Sequence, residues 1–270
     1  KSTGRRFGFL PADCIFDHSG SMVFPGSDVD TWSLLSVLNT DLYHGLFLSL
    51  TPDRHWTPGI VSRIPWFQRF NSDEELSSIA KQQYELKLEE GIHDPISPYY
   101  LGAELLPNNH ERGYFYKNHQ FVDRLEADWN VEANSFPPEQ SLEESSRQIS
   151  HRDNVREAKV ERLAAEAERS VADSLDISSS ARTELETEIK FRTAERIDER
   201  NTDPPESPGN DAPPENYEYL VKKLLHHLAL EQVAATEDGI VPIWDDGKHR
   251  TLLDEVVAGF EREFGESSRE

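Results

Sequence analysis

RRFGFLPADCIFDHSGSMVF, residues 5–24, decides the fold class. Three short apolar runs, RRFGFL, DCIFD and GSMVF, are punctuated by Pro11 and Gly20, which is the pattern of short strands. The stretch predicts a small strand-containing region at the start of a chain that reads as helical almost everywhere else.

Asp30 stands where an N-cap belongs, before TWSLLSVLNTDLYHGLFLSL (31–50), whose Trp32, Leu35, Leu38, Leu42 and Leu46 recur at three and four. Thr51-Pro52 ends that helix, and TPDRHWTPGIVSRIPW (51–66) follows as a loop with a short strand at GIVSRI. Ser72-Asp73-Glu74-Glu75 reads as a capping box, and Gly91 as the stop of the helix it opens. Residues 92–116 are an irregular, Tyr-rich connection, and a short helix is expected from about His119 to Trp129. From Pro138 to Ile177 and from Ser180 to Ile197 the chain is charged and helix-prone. Val155, Val160, Leu163, Ala167 and Val171 give it a thin apolar stripe, so it reads as a surface hairpin or an arm awaiting a partner. NTDPPESPGNDAPPE (201–215) has the composition of a linker. Beyond it come a helix (216–235), a short strand at GIVPI (239–243) and a helix capped by Thr251 with Asp254.

The predicted class is therefore α+β, mostly helical. A small mixed strand/helix domain occupies 1–70, and a helical region occupies 71–200 with the hairpin or arm at 138–197. The linker at 201–215 then leads to a small α-β-α unit at 216–270.

The bulk composition narrows the function. Hydrophobic residues make up 36% of the 270, enough for a real core. No run approaches 18 apolar residues, which leaves no membrane partner and a cytoplasmic reading. A single cysteine, Cys14, excludes an internal disulfide and a cysteine-based zinc cage. The chain opens without Met at what reads as a strand edge, which suggests a fragment or a split gene product.

The net charge of −23 is uneven. Residues 1–70 carry six bases and six acids, so the remaining 200 hold 22 bases against 45 acids. Carboxylates with few Lys suit a salt-rich cytoplasm, where screening shortens to roughly 3 Å at 1 M. An acidic tail and a mimic of DNA's charge are the other readings of such a surface.

Several constellations have a chemical and a structural reading. His226-His227 with Glu231 suggests a metal site, but the His-Glu-x-x-His order is absent, and amphipathic-helix histidines fit better. Asp245-Asp246 after an apolar strand fits a magnesium site or a turn, and the turn fits better. Cys14 reads as core. Ser97-Pro98-Tyr99-Tyr100 and Asp203-Pro204-Pro205-Glu206 mimic the base-flipping loop of amino-methyltransferases, yet neither follows a strand with a Gly-rich cofactor loop. In the 51–66 patch, Arg54 and Arg63 are suited to guanine edges or phosphates, and His55 and Trp56 to stacking or wedging. Its structural reading is a Pro-braced turn with Trp56 and Trp66 in the core.

The order RRFGFLPADCIFDHSGSMVF, WSLLSVLNTDLYHGLF, HWTPGIVSRIPW resembles the target-recognition region of adenine-specific DNA methyltransferases, most closely the PglX type of BREX phage-exclusion systems. The family's Leu-Leu-x-x-Leu-Asn-Ser helix matches Leu34, Leu35, Leu38 and Asn39, with Thr40 for the usual Ser, and its Gly-to-Leu-Pro turn matches Gly59 and Ile64-Pro65. EDGIVPIWDD (237–246) and TLLDEVVAGFEREFGE (251–266) resemble the family's C-terminal part. The resemblance covers 1–70 and 216–270, and the helical middle only by order. The family's cofactor-binding Gly loop and Asn-Pro-Pro-Tyr loop are absent.

The resemblance thus implies a recognition-like N-terminal domain in the DNA-reading and C-terminal portion of such an enzyme, from a halophile. The implied partners are double-stranded DNA, a methyltransferase domain or subunit, and other phage-defence proteins. No cofactor is expected in this chain, and S-adenosylmethionine is implied for the complete enzyme. The expected DNA contacts are Arg54, His55, Trp56 and Arg63, with no catalytic residue. The rival reading is a helical scaffold whose 138–197 arm binds a partner without touching DNA.

Overall fold

A computed structural model of the chain describes residues 7–9, 22–50, 56–94, 97, 100, 102–106, 140–194, 216–236, 241, 243 and 250–264. Of these, 72% are helical and none lies in a strand, which overturns the mixed strand/helix start and the α-β-α unit. The expected strand at 13–17, half of that at 5–10, most of that at 239–243 and the expected 119–129 helix lie outside the described residues.

The physical reasons are local. The Phe7 N–H donates to Asn39 Oδ1 at 2.8 Å and its carbonyl accepts from Asn39 Nδ2 at 3.0 Å. One side-chain amide supplies the donor and acceptor that a neighbouring strand would supply. In front of GIVSRI, Pro58 sits at the first helical position with φ already suited to a helix. Ile60 and Val61 N–H then both reach the Thr57 carbonyl, and α3 (Pro58–Val61) forms instead of a strand.

The expected helix at 31–50 is two. Asp30 caps α1 (Thr31–Leu38), its carboxylate accepting Ser33 N–H at 2.8 Å. The break falls where Asn39 turns its side chain to Phe7. Thr40 then accepts Tyr43 N–H on its hydroxyl at 3.4 Å and opens α2 (Asp41–Leu50). In the predicted capping box the cap is Asp73, one residue on, accepting Leu76 N–H at 3.0 Å, and α4 (Glu74–Gly91) ends on Gly91 as expected. α5 (Leu142–Ser174) and α6 (Ser179–Ala194) follow. Between them Asp176 has φ 55°, and Ile177 N–H returns to the Ala172 carbonyl at 2.9 Å, a Schellman closure with a non-glycine residue in the left-handed position. α7 (Tyr217–Ala235) and α8 (Leu252–Phe264) complete the set. Thr251 and Asp254 form the predicted reciprocal box, Thr251 N–H to Asp254 Oδ2 at 3.0 Å and Asp254 N–H to Thr251 Oγ1 at 3.2 Å.

Two compact units emerge, each from two separated stretches: 1–84 with 158–205, and 85–157 with 206–270. They do not follow the boundaries expected at 70 and 200, because 158–205 joins the N-terminal helices. In the first unit the core includes Val37, Tyr43, Phe47, Phe70 and Leu76 with Leu163, Ala167 and Val171 of α5. α2 and α6 pack closely at Gly45, where a Cβ would come within 2.5 Å of Leu185 Cδ1. Four of the five residues of the thin α5 stripe are thus buried or half-buried, and only Val155 is exposed, at 55%. That part of the arm does not wait for a partner.

In the second unit Leu220, Leu224 and Leu228 repeat every four residues on one face of α7 and bury against Ala103, Leu105, Leu106 and Ile149. Val256, Phe260 and Phe264 of α8 pack on the same cluster. No described helix is long and apolar enough to cross a membrane.

Candidate functional site

Within the 51–66 patch, Trp56 and Pro65 are held by side chains of α2. Trp56 lies on Phe47 (ring centroids 4.5 Å, interplanar 22°) and on Phe7 (5.4 Å, 23°), with His44 at its edge. Tyr43, buried, donates its hydroxyl to the Pro65 carbonyl at 3.0 Å, and burial pushes its pKa up to about 12, so it stays a phenol and a donor. Trp66 Nε1–H donates to Asn71 Oδ1 at 2.8 Å and its ring meets Phe70 edge-on. The turn from Thr57 to Pro65 is therefore braced at both ends by aromatic side chains.

On that brace Arg63 is exposed, while Trp56 is half-buried and engaged in the ring stack. Arg54 and His55 lie outside the described residues. Arg69, the next cation along, spends its guanidinium on the Ser174 carbonyl at the C-terminus of α5, where a cation complements the helix dipole. A groove of about 420 Å³ opens beside the turn, lined among others by Phe24, Leu34, Leu38, Val61, Ile64 and Trp66. Among the described residues that line it, the exposed Ser62 carries the only hydroxyl, and Phe24 is 74% exposed.

The second unit holds a buried polar group that the sequence did not reveal. His227, 1% exposed, shares a hydrogen bond between its Nδ1 and the Tyr100 hydroxyl at 2.9 Å and another between its Nε2 and Glu231 Oε1 at 3.2 Å. A carboxylate only accepts, so at Glu231 the Nε2–H of His227 donates. Burial, reinforced by the charges of Glu231, Glu104 and Asp94, raises the Tyr100 pKa, which keeps its proton on the phenol. Arg262 closes the line on Glu231 Oε2 at 3.4 Å. The His227–Glu231 spacing of four was visible in sequence, whereas Tyr100 is 127 positions from His227.

Beside it Glu104, buried, pairs with Lys223 at 3.5 Å. Burial raises its carboxyl pKa against the lowering pull of Lys223. His93 Nδ1 bonds to the Gly102 carbonyl at 2.8 Å, and burial lowers its pKa to about 3, so the ring is neutral and donates. His226 is exposed while His227 is buried, and among the described residues no group of three His, Cys, Asp or Glu could hold a metal ion. Tyr100 of the Ser97-Pro98-Tyr99-Tyr100 segment is a buried partner of His227. Asp245, Asp246, Cys14 and Asp203-Pro204-Pro205-Glu206 lie outside the described residues.

Compared with known proteins, the chain matches no family model, no curated sequence and no solved structure.

Proposed function

We propose that the chain is the DNA-recognition and C-terminal portion of an S-adenosylmethionine-dependent, adenine-specific DNA methyltransferase of phage defence, built for a salt-rich cytoplasm. The observation that carries this reading is the exposed Arg63 on a turn clamped by the Tyr43–Pro65 hydrogen bond and the Trp56–Phe47 stack. A cation on a rigid platform is suited to bidentate contact with a base edge or a phosphate. The turn falls in the one part of the chain where acids and bases balance, six against six in residues 1–70. DNA reading in brine favours stacking and bidentate contacts over Lys-mediated attraction, because salt erodes phosphate contacts log-linearly. Arg54, His55 and Trp56, beside the same turn in sequence, complete the proposed contact set.

The chain's part would be reading, and the methyl transfer would rest on a methyltransferase domain or subunit that binds the cofactor. The scaffold reading is less well supported, because the α5 residues meant to bind its partner, Leu163, Ala167 and Val171, are buried within the chain.

Gel shift of the 270-residue chain on duplex DNA, alone and with the methyltransferase portion, tests the proposal. Arg63→Ala should weaken specific binding by roughly 1–3 kcal/mol if the contact is bidentate to a base. A correctly folded Arg63→Ala chain that binds DNA and supports methylation as the parent does would return the turn to a purely structural role.

A further inference from the structure

The bend between α5 and α6 is made by residues that do not require one. Residues 139–203 contain neither Gly nor Pro, and the link itself reads Leu175-Asp176-Ile177-Ser178. Asp176, exposed, holds the left-handed φ of 55°, a conformation that a Cβ penalises and glycine does not. The closed turn is kept by the Ile177 N–H on the Ala172 carbonyl, by Arg182 on the Ile177 carbonyl at 3.2 Å and on Asp173, and by the Ser178 hydroxyl on Ala181 N–H at 3.2 Å. The same residues can instead run on as one α-helix from α5 into α6, because no proline ring interrupts the hydrogen-bond ladder there.

Beyond the bend, α6 presents a narrow apolar edge. From Ser179 to Ile189 only Arg182, Leu185 and Ile189 are not exposed. Leu185 and Ile189, four residues apart, meet α2 at Gly45, where a Cβ would lie 2.5 Å from Leu185 Cδ1 and 3.6 Å from Ile189 Cδ1. If the bend straightens, α6 leaves this notch and carries both side chains away with it. The partner shaped for the vacated notch is the same helix on a second copy, since identical residues restore identical contacts. We propose that α6 is exchanged between two copies of the chain, each supplying α6 to the α2 of the other, with residues 175–178 as the hinge. Short hinge loops under strain favour this kind of exchange. Each copy carries a net charge of −23, so the exchange belongs to high salt, where the screening length falls to roughly 3 Å at 1 M.

Gel filtration with light scattering on the full chain in about 2 M KCl, over a range of concentrations, should show a monomer–dimer equilibrium. Asp176→Gly relaxes the closed turn and weakens a continuous helix. Because the hinge occurs twice in the dimer, this change should raise the dissociation constant roughly tenfold or more. Asp176→Ala favours the continuous helix and should lower it by a similar factor. Both changes fall at an exposed position, and circular dichroism in the same buffer verifies the fold. Leu185→Asp spoils α6 and Gly45→Leu fills the notch, so each chain alone should stay monomeric. Mixed, they should form heterodimers, because the sound α6 of one meets the sound α2 of the other. A chain that is monomeric at every concentration overturns the inference. So does a dissociation constant that the two changes at 176 leave alone or move in the same direction, or a mixture of two folded variants that stays monomeric.

Discussion

The Glu168 carboxylate accepts the backbone N–H of Asp41 at 2.6 Å and that of Leu42 at 3.2 Å, so a residue of α5 caps the N-terminus of α2 from 127 positions away. Helix N-termini leave N–H groups without intrahelical partners, and a carboxylate there also meets the positive end of the helix dipole. Glu168→Ala should cost about 0.5–2 kcal/mol, the usual loss on removing an N-cap. Glu168→Gln, which keeps an acceptor oxygen, should cost less. Urea unfolding of the two variants checks the order, and equal losses would mean that the hydrogen bonds contribute nothing beyond charge.

Asp176 holds a left-handed φ of 55° in the α5–α6 turn. Glycine adopts that conformation without steric cost, whereas a β-branched residue meets its full penalty. Asp176→Gly should stabilise by about 0.5–1 kcal/mol and Asp176→Val should destabilise by more than that. Thermal melts that move in the same direction for both would refute the strain at this turn.

His93 titrates at about 3 in the folded chain against 6.5 for an ordinary histidine, chiefly through burial. Between those values the unfolded chain takes up a proton that the folded chain refuses. Stability therefore falls as pH drops through this window, by up to about 1.4 kcal/mol per pH unit. Glu104 and Glu168 act oppositely: burial raises their folded pKa above 4.5, so their contribution is present below 4.5 and lost as pH rises through the folded value. Unfolding free energies of His93→Gln at pH 7 and pH 5 should differ less than those of the parent. An unchanged difference would assign the acid sensitivity elsewhere.

Tyr100→Phe keeps the ring and removes only the hydroxyl facing His227 Nδ1. Removing that buried hydrogen bond should cost about 1–3 kcal/mol. A double variant that also replaces His227 by Leu should lose less than the sum of the two single changes, and strict additivity would show that the pair does not interact.

Outside residues 1–70, 45 acids face 22 bases. As salt is removed the screening length grows from roughly 3 Å at 1 M to roughly 30 Å at 0.01 M, and repulsion among these acids should loosen the helical region first. Circular dichroism at 222 nm recorded from about 2 M down to about 20 mM KCl should lose helical signal. A flat profile would argue against adaptation to high salt.

What could be read in the sequence was local. Asp30 and the Thr251–Asp254 box lie within three residues of the groups they satisfy, so their roles follow from spacing alone. Gly91 ended its helix for the same reason. Residues 7–9 of the expected first strand are not in a strand, and the partner of Phe7 is a side chain 32 positions away, which no period in the segment reports. GIVSRI has strand-forming residues, but Pro58 in front of them commits the backbone to a helical turn. At the candidate interface, the Pro-braced turn was foreseen as one of two readings. Its brace was not, since the Tyr43 hydroxyl reaches the Pro65 carbonyl across 22 residues. Glu168 looked like any other acid on a charged helix, and only the fold identifies it as a cap.

The division of the chain into two interleaved units has a consequence during biosynthesis. Helices α1 and α2 leave the ribosome early, but the residues that complete their unit, 158–205, are separated from 84 by the whole of 85–157. At about 5–20 residues per second, synthesis of that insert leaves the first stretch incomplete for several seconds. Throughout that interval α2 lacks its Glu168 cap and its packing against α6. The nascent polypeptide is therefore a candidate client for chaperones that shield apolar helices until the second half of the unit is made.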